Sequence, residues 1–131
     1  YKLTMSVATS GERDGRWKEV SNEEIKDMCS RIENELFDVI TTNLPFTEED
    51  SSDVVEMGTY DQNLFIHKHF INNMNKYLAP GGRVYMSQAN FGPLDKIFKM
   101  IENVGFNVKL IGENDLPNDP RIFYAFELTR K

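Results

Sequence analysis

The sequence predicts an α/β domain built on a parallel sheet with an antiparallel last strand. Three observations lead there. From Phe37 onward, short apolar strands alternate with helices whose apolar residues recur every three to four positions. Glycine and proline stand where those helices should stop. The last two strands have only a turn-rich loop between them, with no helix, which implies an antiparallel edge to the sheet.

The elements follow in order. Lys2 to Thr9 alternates Leu3, Met5 and Val7 with Lys2, Thr4 and Ser6, the period of a half-buried strand. "TSGERDG" (Thr9 to Gly15) is a turn cluster, and Arg16 to Val20 is a candidate return strand, giving a hairpin. Ser21 and Glu24 form a capping box. The helix behind it spaces Ile25, Met28, Cys29 and Ile32 along one face. Phe37 to Thr41 is a nearly continuous apolar strand, which predicts burial. Thr47 to Asp61 is acidic and irregular, and is expected to be a surface loop.

From Gln62 a helix is expected with Ile66, Phe70, Met74, Tyr77 and Leu78 on its apolar face, stopped by "APGG" (Ala79 to Gly82). Val84 to Ala89 is the next strand. Pro93 suits the first turn of a further helix, whose stripe is Leu94, Ile97, Phe98, Ile101 and Val104, with Gly105 just past its end. Phe106 to Ile111 and Ile122 to Leu128 are the last strands, joined by the loop Gly112 to Pro120. The chain divides into a partial N-terminal segment, 1–36, and the α/β part, 37–131, within one domain of 131 residues.

Composition narrows the class. A hydrophobic fraction of 40% and a charged fraction of 27% are those of a water-soluble globular chain, and no apolar run reaches the length of a membrane span. A formal charge of −6 disfavours a broad phosphate-binding surface, so nucleic acid is not the favoured partner. Cys29 has no second cysteine to pair with, which leads to the expectation of a reducing, cytoplasmic setting. The chain opens on Tyr1 without an initiator Met, and is expected to be a processed chain or a piece of a longer one.

The candidate site is "NLPF", Asn43 to Phe46, where the apolar strand ends in an amide, a proline and a ring. In open parallel sheets ligands sit outside the carboxyl ends of the strands. The Asn43 carboxamide offers an acceptor and two donors, Pro45 stiffens the backbone, and Phe46 has a flat face for stacking. A planar, amine-bearing ligand suits these groups. The alternative is that Asn43 satisfies turn backbone and Phe46 belongs to the core. His67 and His69 stand two apart on a helix, point apart and share no metal; both are expected to be solvated. Neither the acidic loop (Glu48, Glu49, Asp50, Asp53, Glu56) nor the glycines match a calcium-loop or nucleotide fingerprint, so no metal is expected.

Beyond these readings, "FDVITTNLPF" (Phe37 to Phe46) resembles the fourth-strand motif of class I S-adenosylmethionine-dependent methyltransferases, an apolar strand followed by Asn/Asp/Ser-Pro-Pro-Tyr/Phe. "KYLAPGGRVYMS" (Lys76 to Ser87) resembles the family's next helix end, its turn and its fifth strand. "DKIFKMIENVGFNVKLIGE" (Asp95 to Glu113) and "RIFYAFELTR" (Arg121 to Arg130) resemble the helix, outer strand and antiparallel last strand that follow. The resemblance implies the C-terminal half of a Rossmann-like methyltransferase sheet. It also implies methyl transfer to a nitrogen of a planar acceptor, whether nucleobase, glutamine amide or small metabolite. Asn43 would hold the amine with the Leu44 carbonyl, and Phe46 would stack on the acceptor plane beside Pro45.

Leu44 stands where the family's pattern has its first Pro. The family's glycine-rich cofactor loop is not found before Phe37, so S-adenosylmethionine is implied by resemblance without its binding motif and no cofactor-binding residue is assigned. The expected partners are the acceptor and either a second copy or a missing N-terminal half, because the Phe37 strand would lack a neighbour on one side. The alternative function is a non-catalytic α/β interaction module derived from the same half-fold.

Overall fold

The computed structural model describes residues 6–7, 18–19, 22–48 and 60–131. They fall into two compact units, Tyr1–Glu35 and Leu36–Lys131. In the first, β1 (Ser6–Val7) pairs antiparallel with β2 (Lys18–Glu19), as a hairpin should. Helix α1 (Asn22–Ile32) follows, with Glu23 and Glu24 in its first turn and an exposed Asp27–Arg31 pair at 2.6 Å. The Leu3/Met5 positions, the turn cluster, Ser21 of the capping box, the side chains of Ile25, Met28, Cys29 and Ile32, and the acidic loop from Glu49 to Thr59 lie outside the described residues.

The second unit is an α/β layer with a four-stranded mixed, open sheet and two helices. Its elements are β3 (Phe37–Thr42), α2 (Phe65–Tyr77), β4 (Leu78–Ala89), α3 (Leu94–Asn103), β5 (Phe106–Asp115) and β6 (Ile122–Arg130). The strand order is β3-β4-β6-β5. β3 runs parallel to β4, and β6 is antiparallel to both β4 and β5. The antiparallel last strand therefore sits inside the sheet, between two strands that point the same way. The architecture is compatible with half of a Rossmann-like fold.

The core lies between one face of the sheet and the two helices. Val84 and Met86 of β4 stand beside Leu128 and Phe126 of β6, and all four face Ile71 and Met74 of α2 and Ile97 and Ile101 of α3. Phe98 meets Phe126 edge-on, with ring centroids 4.9 Å apart. The α3 stripe is the one its spacing predicts, and Gly105 takes the positive φ (+87°) that ends the helix.

At the end of α2, Arg130 gathers the frayed carbonyls. Its guanidinium donates to the Asn75 side chain (2.6 Å) and to the carbonyls of Leu78 (2.6 Å), Ala79 (2.8 Å) and Asn75 (3.2 Å). A cation at a helix C-terminus also meets the favourable end of the dipole.

Three expectations change. The "APGG" turn does not separate helix from strand. β4 begins at Leu78, and the turn sits inside it as a bulge, where Phe37 pairs with Leu78 but Val39 with Arg83. The buried stripe of α2 is His67, Ile71 and Met74, rotated from the predicted one; Ile66, Phe70 and Tyr77 are half-buried. Finally, among the described residues β3 is an edge strand and largely exposed: Phe37 by 38% and Val39 by 54%. Its apolar run predicts burial, but with a neighbour on only one side among the described residues it takes the open edge that the missing neighbour implies. No helix among the described residues is long and apolar enough to cross a membrane.

Candidate functional site

The carboxyl ends of the parallel pair β3 and β4 lie side by side, and the chain turns outward at both. Thr42 pairs with Met86, which sets Asn43 next to Ser87. Period-2 alternation along β4 turns Met86 and Gln88 into the core and Ser87 away from it. The Ser87 hydroxyl donates to the Asn43 carboxamide oxygen at 2.5 Å. Asn43 is exposed, and its carboxamide has two donors and a second oxygen lone pair beyond the one that Ser87 uses.

Phe46 is half-buried in a cluster of three rings. It meets Phe91 at 5.9 Å and 77°, and Phe123 at 5.9 Å and 54°; Phe91 and Phe123 meet each other at 5.9 Å and 87°. Phe91 is the outermost, 44% exposed. Gly92 explains the tight seat of this cluster, because a Cβ on it would stand 2.3 Å from the Phe46 carbonyl oxygen. Only a residue without a side chain lets the backbone approach so closely. Asn90 ties the same corner to β6. Its NH₂ donates to the Pro120 carbonyl (2.9 Å), and its oxygen accepts from the Ile122 N–H (3.0 Å).

Of the four residues singled out by sequence, Asn43 and Phe46 stand at the open corner. Leu44 packs its side chain against the core cluster, and Pro45 is half-buried beside it. Sequence reasoning missed Ser87, Phe91 and Phe123. Ser87 was legible from β4's alternation; the two rings come from other segments, and only the fold brings them to Phe46. His67 is fully buried, not solvated, and His69 is exposed as expected. His67 is buried because Asp61 and Gln88 saturate its ring nitrogens, at 2.6 and 2.9 Å.

Charge is sparse here. Glu48 pairs with Lys96 at 2.7 Å, and on the open face Glu127 accepts from Arg83 and Tyr85, both at 3.1 Å. Hydrogen bonding from Tyr85, then the Glu127 charge, holds Arg83 above its ordinary value. Among the described residues no group of three or more His, Cys, Asp or Glu is arranged around a metal ion.

The described residues do not fit S-adenosylmethionine. Its ribose hydroxyls call for an acceptor, and the described carboxylates that follow the corner along the chain are engaged: Glu48 with Lys96, and Asp61, buried, with α2 and His67. No glycine-rich cradle stands beside Asn43 among them.

No protein-family model matches the chain, and no curated protein matches its sequence.

Proposed function

We propose that the Asn43–Phe46 corner binds the acceptor of an S-adenosylmethionine-dependent methyltransferase, a planar molecule carrying a nitrogen to be methylated. The cofactor's pocket is supplied by residues other than those described. The observation that carries this reading is the exposed Asn43 carboxamide held by Ser87 at the joined carboxyl ends of β3 and β4, beside a partly exposed aromatic cluster.

The chemistry asked of this corner is modest. Ser87 fixes the carboxamide plane by taking one lone pair of the Asn43 oxygen. The other lone pair accepts from the acceptor's amine, and the NH₂ donates to a ring nitrogen or carbonyl next to it. Phe46 and Phe91 supply aromatic surface against the acceptor's plane. An oxygen held at the amine stabilises positive charge developing on nitrogen, and fixed placement contributes most of the rate in such a displacement. No histidine or cysteine is needed.

Calorimetry with adenine as a planar amine tests the reading. Binding by the chain and a loss of about tenfold in Asn43→Ala are expected, the worth of one to two net hydrogen bonds. Binding unchanged by Asn43→Ala would overturn it.

A second reading, a non-catalytic interaction module, draws on the exposed apolar edge of β3, Leu36, Phe37 and Val39. A free edge of this kind accepts another strand, from a second copy or a different chain.

A further inference from the structure

Beneath the Asn43 corner runs a hydrogen-bonded path that acceptor binding does not use. Asp61, His67 and Gln88 are each 1% exposed or less. Asp61 Oδ1 accepts from the Ile66 N–H at 2.8 Å; Oδ2 accepts from the His67 N–H at 2.9 Å and from ring Nδ1 at 2.6 Å. With Asp61 as a carboxylate, which can only accept, the ring proton sits on Nδ1. Nε2 is then the acceptor for the Gln88 NH₂, at 2.9 Å.

Both ends of this path reach the corner. The Asp61 N–H donates to the Thr47 carbonyl at 2.8 Å, one residue past Phe46. Gln88 is bonded through the peptide to Ser87, whose hydroxyl holds Asn43. Thr47, Asp61, His67, Gln88, Ser87 and Asn43 thus close a ring, with segment 43–47 as its outer side.

Two costly features meet on the same path. Leu64, beside Asn63, takes φ +54°, a conformation that Asn tolerates but that disfavours a bulky side chain and persists only where the surroundings enforce it. Gln88 Oε1 is buried with no hydrogen-bond partner among the described residues. A leucine would fill that place without an orphaned acceptor, so the amide's use lies in its other half, the bond to His67. Segment 43–47, for its part, leaves the end of an edge strand with a neighbour on one side only.

From these observations we infer that Asp61, His67 and Gln88 are positioning residues, a brace that holds Asn43 to Thr47 at a fixed place against β4. The inference rests on the reading of that segment as the acceptor corner.

The test compares the wild-type chain with Gln88→Leu and His67→Phe. Amide hydrogen exchange is read at Asn43 and Asp61 against the β5–β6 amides, together with the histidine nitrogen spectrum and the Kd for adenine. A proton on His67 Nδ1 and an unprotonated Nε2 are expected in the wild type. In Gln88→Leu, exchange at Asn43 and Asp61 rises at least tenfold while β5 and β6 stay protected, and adenine binds at least fivefold more weakly. If His67→Phe fails to fold, Gln88→Leu decides. Exchange that rises uniformly across the sheet, or not at all at Asn43, overturns the brace. If adenine does not bind the wild type, the acceptor reading fails, and the exchange pattern still judges the brace.

Discussion

Replacing Gly92 by alanine tests whether the aromatic corner depends on backbone contact. The new Cβ would stand 2.3 Å from the Phe46 carbonyl oxygen and 3.4 Å from that of Ala89. An ordinary carbon–oxygen contact is about 3.3 Å or more, so roughly 1 Å must be found. The obstruction is backbone, and it cannot swing aside as the tip of a side chain would. Phe46 is seated against Phe91 and Phe123, and the next residue, Thr47, is bonded to Asp61, so relief means moving the ring cluster. Overpacking of this kind costs about 2–3 kcal/mol, and the stiffer unfolded chain returns about 0.5–1 kcal/mol. The net loss, about 2 kcal/mol, should lower Tm by roughly 6–10 °C.

Gly112→Ala is the control. There the nearest atom to the built Cβ is the Ala125 Cβ at 3.9 Å, and the change should be neutral or slightly stabilising. Thermal unfolding followed by circular dichroism reads both, and aromatic NMR reads Phe46 and Phe91. A Gly92→Ala protein as stable as wild type, with those rings unmoved, would refute the reasoning.

Other outcomes follow from single residues. Arg130→Ala, which strips four bonds from the end of α2, should cost about 2–3 kcal/mol in denaturant unfolding, and Arg130→Lys should recover only part, since an ammonium lacks the forked geometry. Hydrogen bonds from Arg121 hold Asp119 down at about 2, below its ordinary 3.8. A lowered carboxyl stabilises the fold above its unfolded value and loses that contribution as pH falls from about 4 toward 2. Asp119→Asn should therefore lower Tm modestly at neutral pH and flatten the acid limb of a Tm-against-pH curve, the difference from wild type vanishing as pH falls toward 2. Val39→Lys places a charge on the open edge of β3 and should abolish any concentration-dependent self-association seen by light scattering, without unfolding the chain.

The parts of the fold that could be read from sequence are those punctuated by glycine and proline. Pro93 and Gly105 bracket α3, and the loop before Arg121 sends β6 back antiparallel. Two apolar patterns misled for physical reasons. The run in β3 has the composition of a central strand, but centrality belongs to the neighbours and cannot be read from the strand itself. In α2 the histidine counts as polar, so periodicity settles on Ile66 and Phe70, while Asp61 and Gln88 let His67 turn inward. At the corner, Asn43 and Phe46 were legible because a strand ends on them. Phe91 and Phe123 were not, because ring contacts across distant segments leave no local pattern.

The central claim is most directly tested by titrating isotope-labelled protein with adenine and following the amide and ring signals. The account predicts shifts confined to the Asn43 side-chain amide, Ser87, Phe46 and Phe91, with transferred contacts between the adenine ring and Phe46 or Phe91, all lost in Asn43→Ala. Saturation with no shift at Asn43, or shifts gathered on the β3 edge or the α2 surface, would contradict it.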